Sequence, residues 1–142
     1  MNPSQVCLDL VKQFEGFRSD AYLCPAGVWT IGYGTTKGVK HGDTITEEEA
    51  TKHLMDDVLT AAEAVNDLVD VDLSQNQYDA LCSLIYNIGR GAFKTSTLLR
   101  LLNANNYTGA SQQFGRWIKA DGKDIPGLIR RRKAERELFD KE

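Results

Sequence analysis

The sequence predicts an α+β, mainly helical protein built as two lobes, and three observations predict it. Two capping boxes, Thr46-Glu47-Glu48-Glu49 and Ser74-Gln75-Asn76-Gln77, each open a long stretch of helical apolar periodicity. Glycine, proline, tyrosine and β-branched residues gather in short runs between positions 18 and 42, the signature of strands and turns. The 142 residues are 42% apolar and 26% charged, which suits one domain with a core and excludes wholesale disorder.

The elements follow in order. Asn2-Pro3-Ser4-Gln5 reads as a helix start, with Asn2 as N-cap and Pro3 at the first helical position. Cys7, Leu10, Val11 and Phe14 then form one apolar stripe of a helix over 3–14. Gly16 ends it and leaves Glu15 in the last turn. Ala21-Tyr22-Leu23 and Val28-Trp29-Thr30-Ile31, joined by the turn Cys24-Pro25-Ala26-Gly27, predict a hairpin or three-stranded sheet. A small β lobe over 15–45 is therefore expected, followed by a linking helix over 46–69. Residues 70–142, with the first helix, form the helical lobe. Its central buried helix opens at Ser74 and is closed by Gly89 and Gly91, and further helices are expected near 96–104, 107–119 and 127–140.

Charge and cysteines narrow the function classes. Net charge is −3, which argues against holding nucleic acid by overall charge. Residues 116–142 carry nine basic and six acidic side chains, so a polyanionic partner would meet the C-terminal end. The run Arg130-Arg131-Arg132-Lys133 has two readings: an attractor for anionic polymer, or a solvated helix face paired with Glu135 and Glu137. Cys7, Cys24 and Cys82 are an odd set without close spacing, which fits a reducing compartment better than a disulfide scaffold. Cys7 and Cys82 fall on apolar helix faces and read as small buried hydrophobes. His41 and His53 lack partner ligands, so no metal site is expected. Met1 to Phe14 contains Asp9 and Lys12 and forms no secretory or membrane segment, so the expected location is the cytoplasm, without membrane insertion. Size and the absence of heptads predict a monomer.

Glu15 is the first candidate for chemistry. A carboxylate at a helix C-terminus faces the negative end of the macrodipole, and Phe14 and Phe17 would add desolvation. Both influences favour the protonated form that a general acid needs. The alternative is an ordinary solvated glutamate.

The spacing from Glu15 runs eight residues to Cys24 and five more to Thr30. With Gln77-Tyr78-Asp79-Ala80-Leu81, Tyr86-Asn87-Ile88-Gly89, Arg116-Trp117 and Gly127-Leu128-Ile129-Arg130-Arg131-Arg132 with Glu135, it resembles the phage-type lysozymes (endolysins) of glycoside hydrolase family 24. The resemblance covers nearly the whole chain. It implies a lysozyme-like two-lobed fold and hydrolysis of the β-1,4 bonds between N-acetylmuramic acid and N-acetylglucosamine in bacterial peptidoglycan, causing host lysis. It implies Glu15 as the proton donor, with Cys24 and Thr30 across the cleft where water attacks or charge develops. Tyr33, Tyr86 and Asn87 are the expected substrate-binding residues. Such chemistry uses side chains and water, so no cofactor is implied. A holin would be needed for access to the wall, as a functional requirement rather than a binding partner.

Cys24 departs from the aspartate that many members carry. It could act as thiolate or as a thiol placing water, Asp20 could supply the charge instead, or Cys24 could simply fill space. Thr35 is a second departure, standing where many relatives have histidine. The rivals are a catalytically weak or inactive peptidoglycan-binding protein of the same fold and, more distantly, a nucleic-acid binder using the arginine run.

Overall fold

The computed structural model describes residues 1–141. Seven helices and two small hairpins follow one another among them: α1 (Gln5–Glu15), β1 (Arg18–Leu23), β2 (Trp29–Gly32), α2 (Glu47–Leu68), α3 (Gln75–Ile88), α4 (Arg90–Lys94), α5 (Thr97–Asn103), α6 (Tyr107–Gln112), a 3-10 turn (Phe114–Arg116), β3 (Lys119–Ala120), β4 (Lys123–Asp124) and α7 (Pro126–Asp140). The fold is the mainly helical α+β arrangement that the patterning predicts.

Both capping boxes are present. The Thr46 side chain accepts the Glu49 N–H at 3.1 Å, and the Glu49 carboxylate returns to the Thr46 N–H at 3.2 Å. Ser74 and Gln77 repeat the exchange at 3.1 and 2.9 Å. Each satisfies two donors that a helix end would otherwise leave bare. Ser74→Ala should therefore lower unfolding free energy by about 1 kcal/mol, read as a shift in urea midpoint at constant m-value.

α3 is the hub, packed against α7, α2 and α1. Its Tyr78, Leu81 and Leu84 are buried, and each apolar side chain hidden this way contributes roughly 1.5–3 kcal/mol. Asp79, also buried, has its carboxyl oxygens satisfied by the Ser4 N–H at 2.9 Å, the Ser4 hydroxyl and the Gln75 amide. This contact corrects the first boundary. Ser4, not Asn2, is the N-cap, because its backbone and side chain are tied to α3, and α1 begins at Gln5. Cys7, Leu8 and Val11 are the buried residues of α1. Cys7 and Cys82 lie in the core as predicted.

Two other expectations change, and between hairpin and three-stranded sheet the structure takes the hairpin. Gly91 does not close α3: Gly89 does, and Gly91 sits inside α4. The stretch near 107–119 breaks after Gln112 into the 3-10 turn and the β3–β4 hairpin. The N-terminal sheet is a two-stranded hairpin, extended by single bridges from Asp20 to Thr44 and from Ile31 to Thr35. No helix among the described residues is long and apolar enough to cross a membrane.

Candidate active site

Glu15 ends α1. Gly16 takes φ +69°, which glycine adopts without a Cβ penalty, and its N–H returns to the Lys12 carbonyl at 3.0 Å. The helix stops there, so the Glu15 side chain leaves its last turn toward α7. Oε1 accepts a hydrogen bond from Arg131 Nη1 at 3.0 Å; the Glu15 side chain is 24% exposed and that of Arg131 only 4%. The other oxygen, Oε2, faces the turn after β2. A methyl group added at Gly34, where φ is +100°, would lie 3.5 Å from Glu15 Oε2 and 3.5 Å from the Tyr86 hydroxyl oxygen. Glycine thus keeps the approach to the carboxyl group open.

Two cavities meet at this point, and Glu15 and Asn87 line both. One, of about 550 Å³, runs between α2 and α3 past Asp57, Thr60, Tyr86 and Arg90. The other, of about 760 Å³, runs along α7 past Phe14, Leu128, Arg130 and Lys133. Together they make a groove with the Glu15 carboxyl group where the two cavities meet. Tyr86 is half-buried and its hydroxyl donates to the Tyr33 carbonyl at 3.0 Å. Burial first, then the charges of Glu15 and Asp57, push its phenol up, against the opposing pull of Arg131. Tyr86 therefore lines the groove as a neutral phenol, its proton on the Tyr33 carbonyl and its oxygen free to accept.

Cys24 and Thr30 lie together on the hairpin. The Cys24 N–H bonds the Val28 carbonyl at 3.0 Å, and the Gly27 N–H bonds the Cys24 carbonyl at 2.8 Å, which closes a tight turn. The Cys24 side chain is partly exposed and its neighbours are the Val28 and Ala26 backbone and the Thr30 side chain. These contacts hold the thiol below its ordinary range, in the order Val28, Ala26, then, after an opposing effect of burial, Thr30. Thr30 is buried and its hydroxyl donates to the Val28 carbonyl at 3.0 Å. Neither residue touches Glu15. Three residues separate Thr30 from Gly34, so the chain keeps Thr30 within about 14 Å of the turn over Glu15. Asp20 is an exposed residue of β1, bridged through its backbone to Thr44; like Cys24 and Thr30, it lines neither cavity.

The structure thus brings Glu15, Tyr86 and Asn87 together and sets Cys24 beside Thr30. Tyr33 is a correction. Its ring is 5% exposed, packed on Phe17 and bonded through its hydroxyl to Glu47 at 3.1 Å, so it supports the groove from behind. What it offers the site is the carbonyl that orients Tyr86. Phe17, spent on Tyr33, does not shield Glu15 as the sequence suggests. The basic run is a second correction: Arg131 and Arg132 are buried with Glu135 in an ionic cluster, and only part of the run faces solvent. Sequence reasoning missed Arg131 as the partner of Glu15, and it missed Gly34 and Asp57. No cluster of metal-ligand side chains occurs among the described residues.

Known proteins share this arrangement. A model of the phage lysozyme family matches residues 12–135. The endolysin of Acyrthosiphon pisum secondary endosymbiont phage 1 is 49% identical over 99% of both chains, and that of Salmonella phage P22 is 48% identical over 91% of both. The muramidase domain of SpmX from Asticaccaulis excentricus superposes with a TM-score of 0.92 at 41% identity, covering 98% of this chain and 97% of that one. The fold and groove define a glycosidase of the lysozyme class. The chain belongs to the phage lysozyme family.

Proposed function

We propose that Glu15 is the general acid of a peptidoglycan-hydrolysing endolysin, cleaving β-1,4 bonds between N-acetylmuramic acid and N-acetylglucosamine. The observation that carries this reading is the divided carboxyl group. Arg131 holds one oxygen, and the other points to the middle of the groove beside Gly34 and Tyr86. A glycan strand lying in the groove would place its bridging oxygen over that free oxygen, where protonation starts bond cleavage.

Cys24 and Thr30 would work on the opposite face of the sugar. The Val28 and Ala26 backbone favours ionisation of the Cys24 thiol, and the thiolate would supply a negative charge able to steady the developing oxocarbenium ion. The Thr30 hydroxyl beside it would help place the attacking water. Tyr86 and Asn87 would bind the sugars on either side of the broken bond, by ring contact and by amide hydrogen bonds. No step calls for a cofactor. Access to the wall would follow the opening of the membrane by a holin, in the manner usual for the family.

Incubating the protein with purified peptidoglycan should release reducing sugar ends and no new amino groups, and it should clear chloroform-treated Gram-negative cells. Binding to the wall without release of reducing ends would favour the inactive-binder alternative.

A further inference from the structure

We propose that Glu135, backed by Ser83, is a positioning residue for the acid, fixing the Arg131 guanidinium in the one orientation that presents Nη1 to Glu15. The contacts form a chain across three helices. Ser83 of α3 donates its hydroxyl to Glu135 Oε2 at 2.5 Å. The same oxygen accepts from Arg131 Nε at 3.4 Å, while Arg131 Nη2 reaches the Ser83 carbonyl at 3.4 Å. With Nε and Nη2 engaged, the planar guanidinium has its plane set, and Nη1 is directed to Glu15 Oε1 at 3.0 Å. Ser83 and Glu135 are fully buried, so no water competes for these bonds.

Charge gives Glu135 a second task. Arg132, also buried, lies with Nε 2.7 Å from Glu135 Oε1 and donates from Nη2 to Oε2 at 3.3 Å. Its Nη1 has no hydrogen-bond partner among the described residues. Two buried arginines therefore share one buried carboxylate, which leaves a single positive charge to face Glu15. Without Glu135 that charge doubles and Arg131 loses its anchor. Burial pushes the Glu135 carboxyl upward, while Arg132, the Ser83 hydroxyl and Arg131 oppose it.

The inference rests on the reading of Glu15 as general acid, and pH tests it. The titratable groups lining the two cavities with Glu15 are Arg130, Arg131, Lys133 and Glu137 from α7, Tyr86 from α3, Asp57 and Glu63 from α2 and Arg90 from α4, with Lys12 in the last turn of its own helix; the substitutions below replace none of them. An added positive charge favours ionised Glu15, so the acid is lost at lower pH. In wild type and variants, kcat and KM for purified peptidoglycan are measured from pH 4 to 9, with near-UV circular dichroism as the check of fold. Glu135→Gln should move the alkaline limb of kcat down by about one pH unit and lower kcat at its optimum about tenfold, with KM within about twofold. Glu135→Asp, which keeps the charge but withdraws it from Ser83, should keep the alkaline limb near that of wild type and recover most of kcat. Should Glu135→Gln fail to fold, Ser83→Ala carries the test, with kcat lowered about threefold at unchanged KM. A folded Glu135→Gln with the wild-type limb and kcat, or in its absence a wild-type Ser83→Ala, overturns the proposal and makes the cluster purely structural. A wild-type protein releasing no reducing ends overturns the acid reading itself.

Discussion

Glu15→Gln should remain folded and lose about 10³-fold in the rate of reducing-end release from purified walls. The amide keeps the volume of the side chain, and its oxygen can still accept from Arg131 Nη1, so the groove retains its shape. What disappears is the proton that the leaving sugar oxygen must receive. Replacing a carboxyl oxygen by an amide oxygen as acceptor of the guanidinium bond, at a side chain still 24% exposed, should cost only about 1 kcal/mol of stability. The measurement pairs a thermal melt with the rate. A variant that melts near wild type yet still cleaves would remove Glu15 from the acid role.

The second large effect is a gain. Cys24→Asp should raise the rate at pH 6 by at least about tenfold and extend activity to lower pH. An ordinary thiol ionises near about 8.5 and an aspartate near about 3.9. The Val28 and Ala26 backbone brings the Cys24 thiol down from its usual range, yet an aspartate in the same turn is charged over a far wider span of pH. If the deprotonated form does the work, activity is present above the ionisation of residue 24 and fades as pH falls through it. The acidic limb of the rate profile should therefore move down by several units, while the alkaline limb, set by loss of the Glu15 proton, stays. Cys24→Ala should lose most activity. Should the alanine, serine and aspartate variants all match wild type, the sulfur is packing, and Asp20→Asn becomes the informative substitution.

Local signals in the sequence were read well because their physics is local. Thr46 to Glu49 and Ser74 to Gln77 close on themselves within four residues, and Gly16 stops α1 by its own backbone freedom. The place of Glu15 at a helix end was legible for the same reason. Its partner was not, since Arg131 lies 116 positions away in a run of four basic residues that looks like a solvated face. Burial of Arg131 and Arg132 depends on Glu135 and Ser83 converging from two helices, which no periodicity announces. Ser4 displaced Asn2 as N-cap through a tertiary bond to Asp79, again a distant residue overriding a local preference. The short α4 and the β3–β4 hairpin were missed because five-residue and two-residue elements carry too little pattern. Tyr33 looked like a sugar contact by type, but its ring was needed between Phe17 and Glu47.

The span between Glu15 and Arg131 also bears on the cell that makes the protein. A ribosome must finish almost the entire message before the arginine emerges, and α7 must then dock on α1 and α3. Prematurely terminated or half-translated chains carry the glutamate with nothing to aim it. The Glu15–Arg131 pair thus forms only in a chain carried past residue 131, and a shorter fragment lacks it altogether.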